Sequence, residues 1–228
     1  RPCGLWPEKR PSDHHQTAPA LNKKAGEVGE EITVLQIKDD LAYLRSINSF
    51  IALSGFIFAL TSVMGYWAAG VSPELASQWK AELDALKWIL EQPPLIIMII
   101  IFLKNLLASG MAMLLGLGLG LIPLLVVTSN GFLLGIVGYS AVQQGGPIFL
   151  AAGILPHGIF ELPAVLLSIA IGFRLGYLLA LTLARENVDL SGETRIAIRF
   201  LWRYITPMLF LAAAIETFIT PIAISVVS

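Results

Sequence analysis

A chain of 228 residues that is 56% apolar and only 14% charged lies far from soluble domains, in which about a quarter of residues carry charge. Its mean hydropathy of +0.75 reads as an integral membrane protein. A net charge of −1 offers no basic surface to nucleic acid, and the one cysteine, Cys3, excludes an internal disulfide and any cysteine-based metal cluster.

Residues 1–26 are polar and Pro-rich, and their basic residues precede no apolar core of the kind a signal peptide needs. They are expected to be a disordered tail or cloning remnant, with His14 and His15 idle. From 27 to 228 a single membrane domain is expected. EVGEEITVLQIKDDLAYLRS (27–46) reads as an amphipathic lead-in helix, with Ile32, Leu35, Leu41 and Leu44 near one face. NSFIALSGFIFALTSVMGYWAAG (48–70) is the first span, just long enough for a ~30 Å hydrocarbon core, and Tyr66 and Trp67 sit at its far interface.

Over 72–91, Ser72 is a candidate N-cap and Pro73 the first helical residue. Leu75, Trp79, Leu83, Leu86 and Leu90 recur at steps of three or four among acids and lysines. Such a helix should lie on the bilayer face. Pro93 and Pro94 end it. The apolar run from Leu95 to Val142 suffices for two crossings of roughly 20 residues each, taken as 96–120 and 122–142 with a break near Gly120 and Pro123. QQGGP (143–147) is a turn. The next run, 148–183, is longer than one crossing needs. Pro156 and Pro163 are the helix-breaking candidates, and Pro156 should leave 148–155 as a half-helix or re-entrant piece lining an interior. ARENVDLSGETRIAIRF reads as a polar loop, and 200–227 as the last span. The expectation is an all-α, polytopic transmembrane helical bundle of about five spans.

Lys23, Lys24, Lys38 and Arg45 flank the first span, and Arg185, Arg195, Arg199 and Arg203 flank the last. The 71–92 segment has only Lys80 and Lys87 amid four acids. The positive-inside rule then puts the N-terminus in the cytoplasm and, after an odd number of spans, the C-terminus outside. Small residues four apart (Gly116 and Gly120, Gly131 and Gly135, Gly172 and Gly176) should let helices approach closely within the bundle.

Ionisable groups inside such segments are expensive. Between Leu95 and Ala184 the only charged residues are Lys104, Glu161 and Arg174. The buried polar set is Lys104, Asn105, Asn130, His157, Glu161 and Glu216. His157 and Glu161 are four apart and neighbours on one helix face. Arg174 lies ~20 Å further along and about 220° around from Glu161, so it should snorkel to the cytoplasmic surface. Glu161 and Glu216 are too short to reach headgroups, and each must either ionise against a cation (Lys104 and His157 are the candidates) or hold a proton. His157, Glu161 and Glu216 are therefore expected to converge, with Asn105 or Asn130 close by. One His and two Glu suffice in principle for a divalent ion with water. Without HExxH or a second histidine in the membrane part, no metal is expected. No nucleophile-elbow sequence surrounds Ser109, Ser129 or Ser168 to make a hydrolase of the chain. No catalytic residue and no cofactor are expected.

The stretch LPHGIFELPAVLLSIAIGFRLG resembles the signature of the stage II sporulation protein M family. FLKNLLASGMAMLLGLGLG with Asn105, LIPLLVVTSNGFLLG with Asn130 and Gly131, and AAAIETFITP fit the same family in the same order, over roughly 45–225. The resemblance implies an all-helical protein of about five spans in the cell membrane. It also implies a non-enzymatic role: in spore-forming bacteria the namesake acts in engulfment as a scaffold that localises peptidoglycan-degrading partners. The expected partners are the lipid bilayer, membrane or envelope proteins, and a second copy of the chain, but no nucleic acid. The competing reading is a small transporter or channel component with Glu161 and Glu216 as a proton or ion site.

Overall fold

The computed structural model describes residues 36–72, 74 and 87–227. The expected tail, the first part of the lead-in helix and nearly all of the 72–91 helix lie outside the described residues. Two units are distinguished, Arg1–Ser46 and Ile47–Ser228. In the first, residues 36–46 are helical.

The second unit is helical throughout, with no strand among the described residues. In chain order it holds α1 (Asn48–Val71), a single turn Lys87–Leu90, α2 (Pro94–Leu114) and a 3₁₀ turn Leu115–Leu117. Then follow α3 (Leu121–Leu183), α4 (Leu190–Phe200), a π-helical turn Leu201–Ile205, α5 (Thr206–Phe218) and α6 (Thr220–Val227). Pro94 at the start of α2 stands where a missing N–H costs nothing, whereas Pro207 follows the π-helical turn Leu201–Ile205 within a continuous helical run. Within α1, the hydroxyls of Ser54, Thr61 and Ser62 each donate to a carbonyl one turn back at 2.8 Å. That satisfies them without water.

Four helices are long and apolar enough to cross a membrane: Asn48–Val71, Pro94–Leu117, Leu121–Leu183 and Leu190–Phe218. Large apolar side chains such as Phe56, Val63, Leu107 and Ile159 stand more than half exposed along them. In water so much outward apolar surface would drive aggregation; against acyl chains it costs nothing.

At 63 residues, α3 would be ~95 Å long if straight, three times a bilayer core. It is not straight. At Gly146 the backbone turns to φ 77°, ψ −174°, a region open to glycine alone, and the chain doubles back. Gly138 lies against the side chain of Leu150, twelve residues on, where a straight helix would separate them by ~18 Å. At the other end Gly176 abuts Gly120. The turn expected at 143–147 thus falls at Gly146, while the further break expected at Pro156 is absent and the helix runs unbroken through Pro156 and Pro163. Each proline removes one N–H from the ladder, which neighbouring helices tolerate in an apolar bundle. Only the glycine can supply a positive φ. The expected half-helix at 148–155 is accordingly the start of the second arm.

Register follows from close approaches. Gly131 and Gly135 rest on the α1 backbone near Phe58 and Ser62, and Gly65 rests on Phe132; α1 and the first arm of α3 run parallel. Gly116 meets Gly172, and Gly176 meets Gly116 and Gly120, so α2 runs parallel to the second arm. Phe102 stacks edge-on against Phe210 at 5.6 Å, while Gly110 approaches Leu201; α2 and α5 are antiparallel. All three glycine pairs therefore lie on seams inside the bundle. The fully buried Ala112, Val127 and Ile169, from α2 and the two arms of α3, form the core between them.

Residues 190–200, expected as a polar loop, form a helix instead. Asp189 caps it, accepting the Gly192 N–H at 2.8 Å, and Ala197 and Phe200 are buried one below the other. The expected single last span is interrupted at Ile219, two residues before Pro221, whose missing N–H cannot continue α5.

Candidate functional site

His157 and Glu161 project from the second arm of α3, one turn apart. Glu216 comes from α5, and Asn105 and Lys104 come from α2. One nitrogen of His157 and a carboxylate oxygen from each of Glu161 and Glu216 all lie within 4.8 Å of one another. His157 Nε2 stands 4.0 Å from Glu161 Oε2, and the two side chains are 17% and 25% exposed. His157 Nδ1 is 3.4 Å from the hydroxyl of Thr220, a buried residue at the head of α6. Asn105, also buried, stands beside the Glu161 carboxylate. The charge of Lys104 acts on both Glu161 and Glu216.

Backbone chemistry explains why these positions meet. Antiparallel packing of the second arm on α5 and α6 sets 157 against 220 and 161 against 216, so two i, i+4 pairs face each other across one seam. Pro156, Pro163 and Pro221 flank the cluster, and each leaves a carbonyl four residues back without its helical donor. Two further hydroxyls, Ser109 Oγ and Thr217 Oγ1, are buried with no hydrogen-bond partner among the described residues. Ser109 is one turn beyond Asn105 on α2.

The remaining members of the predicted polar set are placed differently. Asn130 is exposed and turns back on its own helix, its amide donating to Val126 O at 2.8 Å. Gly131 beside it occupies the α1 seam, and this points Asn130 away from the carboxylates. Lys104 is exposed rather than buried; its four-carbon stem carries the ammonium to the edge of the bundle. Arg174 does not reach outward alone. Its Nε donates to Glu193 Oε1 of α4 at 3.1 Å, because the capped helix brings that carboxylate beneath it.

Two participants escape a reading by residue type. Thr220 carried a signal, standing four residues after Glu216 as Glu161 stands four after His157. Glu193 carried none, since its partner is nineteen residues away across a turn.

Residues 54–221 match the sequence model of the family described as Stage II sporulation protein M. Over 104 residues the chain is 35% identical to an uncharacterized protein of Methanocaldococcus jannaschii, covering 45% of this chain and 58% of that protein. The chain thus matches little more than half the length of that relative. No solved structure matches it.

Proposed function

The chain belongs to the stage II sporulation protein M family, and on that premise we propose that it is a non-enzymatic scaffold of the cell membrane. In this reading it crosses the bilayer five times and holds envelope proteins in place.

Five crossings follow if each arm of α3 is taken as one. The parallel and antiparallel pairings then alternate without conflict: α1 outward, α2 inward, the first arm outward, the second inward, α5 and α6 outward. The basic flanks at Arg45 and at Arg185 to Arg203 put the N-terminus in the cytoplasm and the C-terminus outside. The turn at Gly146 then faces outward and the 184–189 connection faces the cytoplasm.

The observation that carries the scaffold reading is the family match across the membrane part, joined to a polar set spent largely on internal contacts. Asn105 stands beside Glu161, and Thr220 meets His157. Such contacts fasten helices together, at roughly 0.6–2 kcal/mol each in membranes. Partners of this protein are membrane or envelope proteins, with peptidoglycan-degrading enzymes the class that the family suggests. Purification in mild detergent, with mass spectrometry of what accompanies the chain, tests this. A peptidoglycan hydrolase is the expected companion.

A transporter component is the second reading, favoured by the meeting of two carboxylates and a histidine from two different helices beside an interrupted one. A transport ATPase as the main companion would replace the first reading with it.

A further inference from the structure

We propose that His157, Glu161 and Glu216 form a binding site for one divalent transition-metal ion of the zinc class, with Thr220 and Asn105 orienting its ligands.

The argument begins with the protons. Thr220 Oγ1 stands 3.4 Å from both Ile215 O and His157 Nδ1. In the proposed site the hydroxyl donates to the carbonyl and accepts the hydrogen on Nδ1 of the imidazole. A neutral imidazole with Nδ1–H has a bare lone pair on Nε2. That lone pair faces Glu161 Oε2 at 4.0 Å, too far for a hydrogen bond and repulsive if nothing lies between. A histidine fixed through one nitrogen by an oxygen and presenting the other is the usual arrangement around a metal.

The spacing agrees. Zinc takes nitrogen and carboxylate oxygen at about 2.0–2.2 Å, so tetrahedral ligands of one ion stand ~3.3–3.6 Å apart. The His157–Glu161 separation is 4.0 Å and the three atoms lie within 4.8 Å of one another, so metal binding draws these side chains together by about 0.5 to 1.4 Å.

Charge agrees as well. Two carboxylates among apolar helices need two positive charges, and Lys104 supplies one from an exposed stem. A divalent ion neutralises both at once. The imidazole nitrogen favours a zinc-like ion over magnesium or calcium, which prefer all-oxygen sets. Asn105, buried beside Glu161, is placed to orient one carboxylate in the manner of an outer-shell partner. The lack of HExxH and of a second histidine in the membrane part weighs against a metal, and what speaks for one is the meeting of His157, Glu161 and Glu216. The site is assembled across helices, with oxygens replacing the missing nitrogens.

The test uses the full chain in detergent with His14→Ala and His15→Ala in place, so that an adjacent histidine pair does not compete for the probe. Cobalt is the probe, read by its visible absorption and displaced by zinc. One cobalt per chain is expected. His157→Ala and the Glu161→Gln, Glu216→Gln pair should each weaken binding at least ~100-fold, and Thr220→Val ~10–100-fold. Absence of binding up to about 1 mM overturns the proposal. So does binding that survives His157→Ala unchanged. Should His157→Ala fail to fold, Thr220→Val and the spectrum of the parent chain decide: tetrahedral cobalt bands weakened by Thr220→Val support the site, and their absence removes it. A negative result leaves the scaffold reading standing, since that is judged from co-purifying proteins.

Discussion

Gly172 on α3 lies so close to Gly116, at the end of α2, that a side chain on Gly116 would overlap the Gly172 backbone. A side chain on Gly172 would in turn strike Ala112 O and Pro123. Contacts of backbone on backbone leave nothing that can rotate aside. Gly116→Val and Gly172→Val should each cost at least ~1–3 kcal/mol as overpacking, read as loss of thermal stability in detergent. Gly55, with nothing within 4 Å of its missing Cβ, provides the contrast. Gly55→Ala should be neutral or stabilising by up to ~1 kcal/mol.

The turn in α3 makes a second contrast. Gly146→Ala forces a Cβ onto φ 77° and should cost ~1–3 kcal/mol. Pro156→Ala lies in continuous helix and should leave stability unchanged or raised. A reversal of this order in denaturation midpoints would place the bend at the proline.

Glu161 and Glu216 separate hydrogen bonding from charge. If their structural role is to fasten helices, Glu161→Gln should keep stability within ~1 kcal/mol, because the amide still offers an oxygen to the buried Asn105 beside it. Glu161→Leu should lose ~1–3 kcal/mol by leaving Asn105 beside an apolar side chain. Thermal unfolding in metal-free detergent measures both.

Arg174 and Glu193 make a partly exposed ion pair. Arg174→Ala and Glu193→Gln should each cost little, and the double-mutant cycle should give a coupling of about 0.2–1 kcal/mol that shrinks as salt is raised. A coupling near zero would leave the Asp189 cap alone to position α4.

Topology is testable by labelling. In a Cys3→Ala background, cysteines at Gln144 and Glu186 should react from opposite sides of sealed vesicles. Labelling from the same side would mean that the second arm of α3 does not cross.

Much of this protein was legible in its residues. The apolar runs, the lone ionisable groups within them and the glycines four apart follow from composition and spacing, because a bilayer imposes length and a close seam imposes small side chains. Motif residues also carried the family, through PHGIFELP. Local chemistry was less easily read. The turn at 143–147 was legible in its glycines, and it bends at Gly146 because the bend needs a positive φ; the break expected at Pro156 was not found, because a proline can be carried within a helix packed among others. The 190–200 helix was hidden among polar residues until its cap was seen. Which polar groups meet was decided by tertiary structure alone. Asn105 and Asn130 look alike in sequence, yet one stands buried beside Glu161 and the other folds onto its own helix. The difference is the rotation of each helix, which at Asn130 is set by Gly131 on the α1 seam. The contact of His157 likewise depends on Thr220 arriving from another helix.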